Sequence, residues 1–322
     1  MTKSEGFKPT VAVLPPDISA YRDGNTGIPY VTTFDSGKPG PHVMVNALTH
    51  GNELCGANAL CFLFEQNVRP PKGKLTLSFA NVAAFSRFDK HQPFASRFVD
   101  EDFNRLWNDE VLDDARQSQE LARAREFRPL VARVDYLLDI HSMHLPSPAL
   151  VLTGLQERSL RLAQAVGIPS YVVLDEGHQA GRRMRDYNAF SDPHSAKTAL
   201  LVECGQHWVQ SSVDVARATA LYFLRECGIV DAEFCAAHLP VSEKQPQTVV
   251  EVSTPVTITS TEFRFAEDYR GFETIKEAGS LIAYDGDQEI RTPYDDCVLV
   301  MPTATERAKP GQTGVRLGRV IA

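Results

Sequence analysis

The chain's 322 residues suffice for one large or two ordinary domains. Hydrophobic residues at 43% and charged residues at 23% are ordinary for a soluble globular protein. A formal net charge of −8 argues against nucleic acid or an anionic membrane as partner, because both recruit basic surfaces. No run approaches the ~18 apolar residues of a spanning helix. The polar start from Met1 to Lys8 offers no signal peptide. The six cysteines are scattered without a C-x-x-C pair, the pattern of reduced core thiols in a cytoplasmic protein. Nothing in the composition decides for or against a homo-oligomer.

Residues 1–28 are loop-rich. Tyr30 to Phe34 reads as a strand and Ser36 to Pro41 as a turn. Val43 to Leu48 is almost wholly apolar, as expected of a strand buried on both faces. It runs into Thr49-His50-Gly51-Asn52-Glu53, and Gly56 to Gln66 then has helical apolar spacing. Pro70 to Gly73 breaks the chain before the strand Leu75 to Ala80. Asn81 to Asp113 is a long irregular stretch, and such loops are usually functional. An amphipathic helix follows from Asp114 to Val131, stopped or kinked near Pro129. Next come strands at Tyr136 to His141 and Ala149 to Thr153, a helix at Ser159 to Val166 and a strand at Tyr171 to Leu174. Asp175 to Lys197 is a second long polar segment. Thr198 to Cys204 is a buried strand, and Val213 to Cys227 a helix closed by Gly228.

This alternation predicts an α/β layer fold with a largely parallel sheet, whose ligands bind beyond the carboxyl ends of the strands. After Pro240 the pattern changes to short β-rich pieces between glycine and proline turns. The expected division is therefore an α/β domain over 1–240, a linker-like run at 240–246 and a small β domain over 241–322.

His50 and Glu53 lie three apart on the bend after one strand, and His141 ends another. Two histidines and a carboxylate suit a zinc ion while leaving a fourth position for water, so one Zn2+ per chain is expected. Asp139 is placed to orient a ligand histidine. Glu203 closes an otherwise apolar strand. Burying a carboxylate without a partner costs several kcal/mol, roughly, so such a residue is paired or used. Used, it would accept a proton from the attacking water and pass it to the leaving amine. In the loop before Trp107, Arg97 is a candidate to polarise the scissile carbonyl. Asn104 and Arg105 are candidates to hold a substrate carboxylate, whose plane fits the guanidinium fork. The rival reading of this acidic loop is surface ion pairing with Asp100, Glu101 and Asp102.

Thr-His-Gly-Asn-Glu at 49–53, Asp-Phe-Asn-Arg at 102–105, Asp-Ile-His at 139–141 and Val-Glu-Cys-Gly at 202–205 resemble, in content and order, the succinylglutamate desuccinylase/aspartoacylase family. That family is a branch of the zinc carboxypeptidase-like hydrolases. The resemblance spans about 40–230, and 286–294 with 310–318 look similar to the family's β domain. It implies a zinc-carboxypeptidase-like α/β/α layer fold with a mixed, mostly parallel sheet, plus a small C-terminal β domain. It also implies a zinc-dependent deacylase that cleaves the amide of a small N-acyl amino acid. His50, Glu53 and His141 would then hold zinc, Glu203 act as acid and base, Arg97 meet the carbonyl, and Asn104 and Arg105 bind the substrate carboxylate. Through the β domain it points to Tyr284 or Tyr294 at the mouth of the site. One departure stands out. Aspartoacylases place an arginine that reads the substrate side chain shortly before the catalytic glutamate, where this chain has Ser191 to Lys197 and no arginine. Arg182, Arg183 and Arg185 lie earlier, and His144 is a further candidate contact. Two other readings stand beside the deacylase: a metallocarboxypeptidase acting on short peptides, and a non-catalytic binding protein with a degenerate site. Against the last, each chemical role has a candidate residue.

Overall fold

The computed structural model describes residues 10–177, 180–240 and 246–322; the polar start of the chain and most of the expected linker lie outside them. In chain order the elements are β1 (Val31–Asp35), β2 (His42–Ala47), α1 (Leu54–Glu65), β3 (Lys74–Phe79), α2 (Val82–Phe85), α3 (Asp109–Leu112), α4 (Gln119–Val131), β4 (Tyr136–Met143), β5 (Leu150–Leu152), α5 (Glu157–Val166), β6 (Tyr171–Leu174), β7 (Thr198–Gln206), α6 (Gln210–Glu226) and α7 (Ala232–His238). The C-terminal segment adds β8 (Thr248–Thr257), β9 (Phe263–Phe265), β10 (Thr274–Ile275), β11 (Leu281–Asp285), β12 (Gln288–Arg291), β13 (Cys297–Val300) and β14 (Thr313–Val320).

Every strand and helix expected before residue 230 is present, β6 with the expected bounds and the others with shifted ends. α4 begins at Gln119 rather than Asp114 because the Ser118 hydroxyl accepts from Leu121 N at 2.9 Å and caps it there. α7 was not expected; its apolar content is too short to show a period, and the Asp231 side chain caps it by accepting from Phe234 N at 2.8 Å. The 81–113 stretch holds α2, α3 and a 3-10 turn at Phe103–Arg105. None of the described helices is long and apolar enough to cross a membrane.

The main sheet has the order β1-β3-β2-β4-β7-β5-β6-β8-β14-β13-β10. β3, β2, β4 and β7 run parallel, as do β5, β6 and β8, while β7 and β5 are antiparallel. The alternation of each strand feeds two cores. Val43, Val45, Leu138, Ile140, Leu200 and Val202 pack under α1, α5 and α6. Met44, Leu137 and Ala199 face the other way, onto α4 with Phe103, Trp107 and Phe127. Apolar runs covered on both faces are what the uniformly hydrophobic strands required. The sheet does not stop at the linker. β8 joins β6 in parallel, and β14, β13 and β10 extend it antiparallel. A separate three-stranded antiparallel sheet, β12-β11-β9, lies beyond.

Candidate functional site

The site forms where β2, β4 and β7 end. Leu137, Asp139 and His141 share one face of β4 by the two-residue period, and Ala199, Leu201 and Glu203 share that face of β7. The register sets His141 opposite Glu203 and Asn46 opposite Asp139. His50 arrives by a different route. Leu48, at φ 59, takes the left-handed conformation and turns the chain off β2. Gly51 then passes so close to a neighbouring segment that a Cβ would lie 2.3 Å from Phe85 N and 2.6 Å from Ser96 O, so no other residue fits.

The ligand atoms of His50, Glu53 and His141 lie within 4.8 Å of one another, and all three residues are buried. Both imidazoles use the same nitrogen toward the same carboxylate: His50 Nδ1 is 2.8 Å from Glu53 Oε1, and His141 Nδ1 is 2.9 Å from Glu53 Oε2. Both turn the other nitrogen to an aspartate. His50 Nε2 is 2.9 Å from Asp102 Oδ1, and His141 Nε2 is 2.8 Å from Asp139 Oδ2. Asp139 is itself fixed by Asn46 Nδ2 and Thr49 Oγ1, each donating at 2.8 Å. Asp102 and Asp139 behind the rings engage each Nε2 and aim each Nδ1 at Glu53; two imidazole nitrogens with one carboxylate are a donor set that fits a divalent cation, which would take the place of the protons that Nδ1 shares with Glu53. Burial works to raise the Glu53 carboxyl, but the facing imidazoles override it and hold it well below the usual range. Burial likewise opposes the charge on His141, and Asp139 and Glu53 overcome it, holding the imidazole well above its ordinary value. The expectation for Asp139 is thus met in geometry. Asp102, read in the sequence only as an ion-pair partner and part of a motif, has the matching place behind His50; it lies 52 residues along the chain from that ligand, and nothing local in the sequence marked it.

Glu203 lines the same cleft, and its Oε2 has no hydrogen-bond partner among the described residues. Burial pushes its carboxyl up to about 8; Glu53 and Asp139 push the same way, and His141 and Arg97 oppose them.

Arg97 reaches the ligand set. Its NH1 is 3.2 Å from Glu53 Oε1 and its NH2 is 3.2 Å from Asp102 Oδ2. It pairs with Asp102, as the rival reading of this loop had it, but within the cleft. Asn104 is buried, with Oδ1 accepting from Met184 N at 2.9 Å, and Arg105 donates to its backbone carbonyl at 2.8 Å. Both line the cleft, which has a volume of about 680 Å³. The loop carrying these residues is fixed by the buried Glu120 of α4. Its carboxylate accepts from Val99 N at 2.6 Å, Asp100 N at 3.0 Å, Glu101 N at 3.3 Å and Asn81 Nδ2 at 2.9 Å.

The C-terminal segment supplies one wall, but not through the tyrosines. Tyr284 stacks under Arg264 and Tyr294 bonds Ser253, and neither lines the cleft. The wall is instead built from residues 301–316, with Arg307 and Arg316 among them. Of the three earlier arginines, Arg183 lines the cleft, whereas Arg185 is buried on Asp186 and Thr153 O. His144 also lines it and lies 3.2 Å from Arg307 NH1. Among the polar lining residues that escaped the sequence reading, besides Arg307 and Arg316, are Ser142, whose hydroxyl is 2.7 Å from His207 Nδ1, and His207 itself. Nothing local in the sequence joins residues so far apart.

The family model described as the succinylglutamate desuccinylase/aspartoacylase catalytic domain matches residues 39–226, and the chain belongs to this family. Solved structures share the fold. The succinylglutamate desuccinylase from Vibrio cholerae is 18% identical, with a TM-score of 0.66 over 91% of this chain and 86% of its own. Murine aminoacylase 3 is 19% identical, at 0.59 over 88% and 96%. The product-bound ectoine utilization protein from Ruegeria pomeroyi is 17% identical, at 0.58 over 90% and 87%. A comparison with curated proteins finds no match.

Proposed function

We propose that this protein is a zinc-dependent hydrolase that cleaves the amide bond of a small N-acyl amino acid or a derivative of one. The observation that carries the reading is the convergence of two Nδ1 atoms on Glu53, with Glu203 Oε2, which has no partner among the described residues, in the same cleft. His50, Glu53 and His141 would hold one zinc ion per chain. Bound there, zinc supplies a Lewis acid and makes water ionisable near neutral pH. Glu203 accepts the proton of the attacking water at its free oxygen and delivers it to the nitrogen of the leaving amine. A cation at the ligand set counters the burial that raises the Glu203 carboxyl, and so favours the form that can accept. Arg97 meets the carbonyl oxygen as it gains charge, and Asn104 with Arg105 holds the substrate carboxylate.

A cleft walled by residues 301–316 and of small-molecule volume supports an N-acyl amino acid over a peptide. We keep the division at residue 240 as a proposal: 1–240 carries the chemistry and 241–322 closes the cleft. The described cysteines are all unpaired and buried, which supports a reducing, cytoplasmic setting. The test is a deacylation screen over acetyl, succinyl and formyl derivatives of acidic, basic and neutral amino acids, beside short peptides, with zinc and with a chelator. Chelator-sensitive release of the free amino acid is expected. Release unaffected by chelation, or from peptides alone, refutes the reading.

A further inference from the structure

The cleft has two ends, and the ligand set lies between them. At one end Arg105 stands in the field of Arg183 and Arg316, and all three line the wall. At the other, His144 Nδ1 lies 3.2 Å from Arg307 NH1 and His144 Nε2 lies 3.6 Å from Glu306 Oε1. His207 belongs to this second end, since His144 is among the groups whose charge acts on it. Arg97, which reaches Glu53, acts on the groups of both ends. A trans, planar amide sends its two substituents away from the carbonyl in opposite directions. With the carboxylate of the amino acid on Asn104 and Arg105 and the carbonyl at Arg97, the acyl chain points toward the His144 end.

That end is closed by a stack drawn from three segments far apart in the chain. The Phe94 ring, from the 81–113 stretch, lies 4.2 Å from the imidazole of His144, centroid to centroid. Arg307, from the C-terminal segment, places its guanidinium carbon 4.7 Å from the centroid of the same ring, a cation–π distance. Phe94 is braced in turn by Trp208, at 5.0 Å between centroids. Trp208 is buried, and its Nε1 donates to Asn52 O at 2.8 Å, beside the ligand Glu53. His144 and Arg307 line the cleft, and Phe94 backs them both. A methylene pushed into a wall packed this way forces side chains off their preferred rotamers.

We propose that Phe94, His144 and Arg307 form a specificity-determining end wall on the acyl side, so that the preferred substrates carry an acyl chain short enough to stop before the stack. The inference rests on the deacylase reading for the direction of the acyl chain. Straight-chain hydroxamates from acetyl to hexanoyl, titrated by calorimetry into the full-length metal-loaded protein, test the wall without turnover, because their chelating head fixes the first carbon at the metal. Affinity should hold or rise with each carbon until the chain meets the stack, then fall about 10-fold or more at the next methylene. The N-acyl derivatives of one amino acid, over the same lengths, should break at the same point in kcat/KM. Phe94→Ala and Arg307→Ala should each move the break outward by at least one carbon in both series. Phe98→Ala, an exposed lining residue of the same loop but outside the stack, should leave it in place. A series unbroken up to hexanoyl in the unaltered protein overturns the proposal even if a variant fails to fold. So does a break that neither stack variant moves, or that Phe98→Ala moves equally. If the hydroxamate break moves as stated but no N-acyl amino acid is hydrolysed, the end wall stands and the reaction assignment fails.

Discussion

Glu203 and His141 stand side by side on adjacent strands, and their burial has opposite meanings. The imidazole is buried among carboxylates that satisfy both its nitrogens, whereas the carboxylate is buried with one oxygen unspent. Glu120 is a carboxylate with both oxygens satisfied; the proton shuttle proposed for Glu203 would use the oxygen it leaves without a partner among the described residues. Glu203→Ala should therefore bind one zinc per chain and lose about 10²- to 10⁴-fold in kcat, read by metal analysis beside steady-state kinetics. Undiminished turnover removes the proposed shuttle. Asp139→Asn keeps the shape but no longer fixes the His141 tautomer. Its zinc affinity should fall about 10- to 100-fold in competition with a chelator.

The elements that place these groups are two loops held to one another. The turn after β2 and the 97–105 loop meet where Gly51 N donates to Arg97 O at 3.0 Å. Gly51→Ala would drive a methyl group into the backbone of both α2 and Ser96. Neither is a flexible side chain that can swing away. Destabilisation of about 1–3 kcal/mol is expected in urea unfolding, with a larger proportional loss of activity, because His50 and Arg97 move together. Glu120 acts from a distance of many residues on the same loop. Glu120→Ala strands three backbone N–H groups, and kcat/KM should fall while the zinc content stays at one. Unchanged kcat/KM would show that the loop is fixed by other contacts.

For the whole molecule, the continuity of the sheet matters more than the change in sequence character near residue 240. Val250, Val298 and Val300 share a core with Met143, Leu152, Val173 and Leu201. A chain cut to residues 1–240 strips β8 from β6 and uncovers that core, and it should not unfold cooperatively. A soluble fragment with a sharp thermal transition contradicts this. Acid should also weaken the molecule. Burial holds His207 down to about 3, and burial with the nearby Lys74 holds His42 down to about 4. Both ordinary values are near 6.5, so the unfolded chain binds protons that the native chain refuses. The stability these neutral imidazoles allow is complete above about pH 6.5 and is lost as pH falls toward those values. Urea midpoints should drop between pH 7 and pH 5, and His42→Gln should flatten part of the slope.

The sequence by itself determined what depends on near neighbours. Apolar runs such as Val43 to Leu48 fixed the buried strands, the period in Gly56 to Gln66 fixed a helix, and the strand-end polar residues His50, Glu53, His141 and Glu203 marked the site. Period and chain order are local properties, and strand ends in a parallel sheet converge by construction. Only the tertiary structure decided what depends on segments far apart in the chain. Asp102 came to stand behind His50, Glu120 came to pin a loop it does not adjoin, and the last strand brought Arg316 rather than Tyr284 or Tyr294 to the cleft. Strand pairing and the closing of the wall are long-range contacts, and no spacing along the chain encodes which residue of a strand will face a partner many residues away.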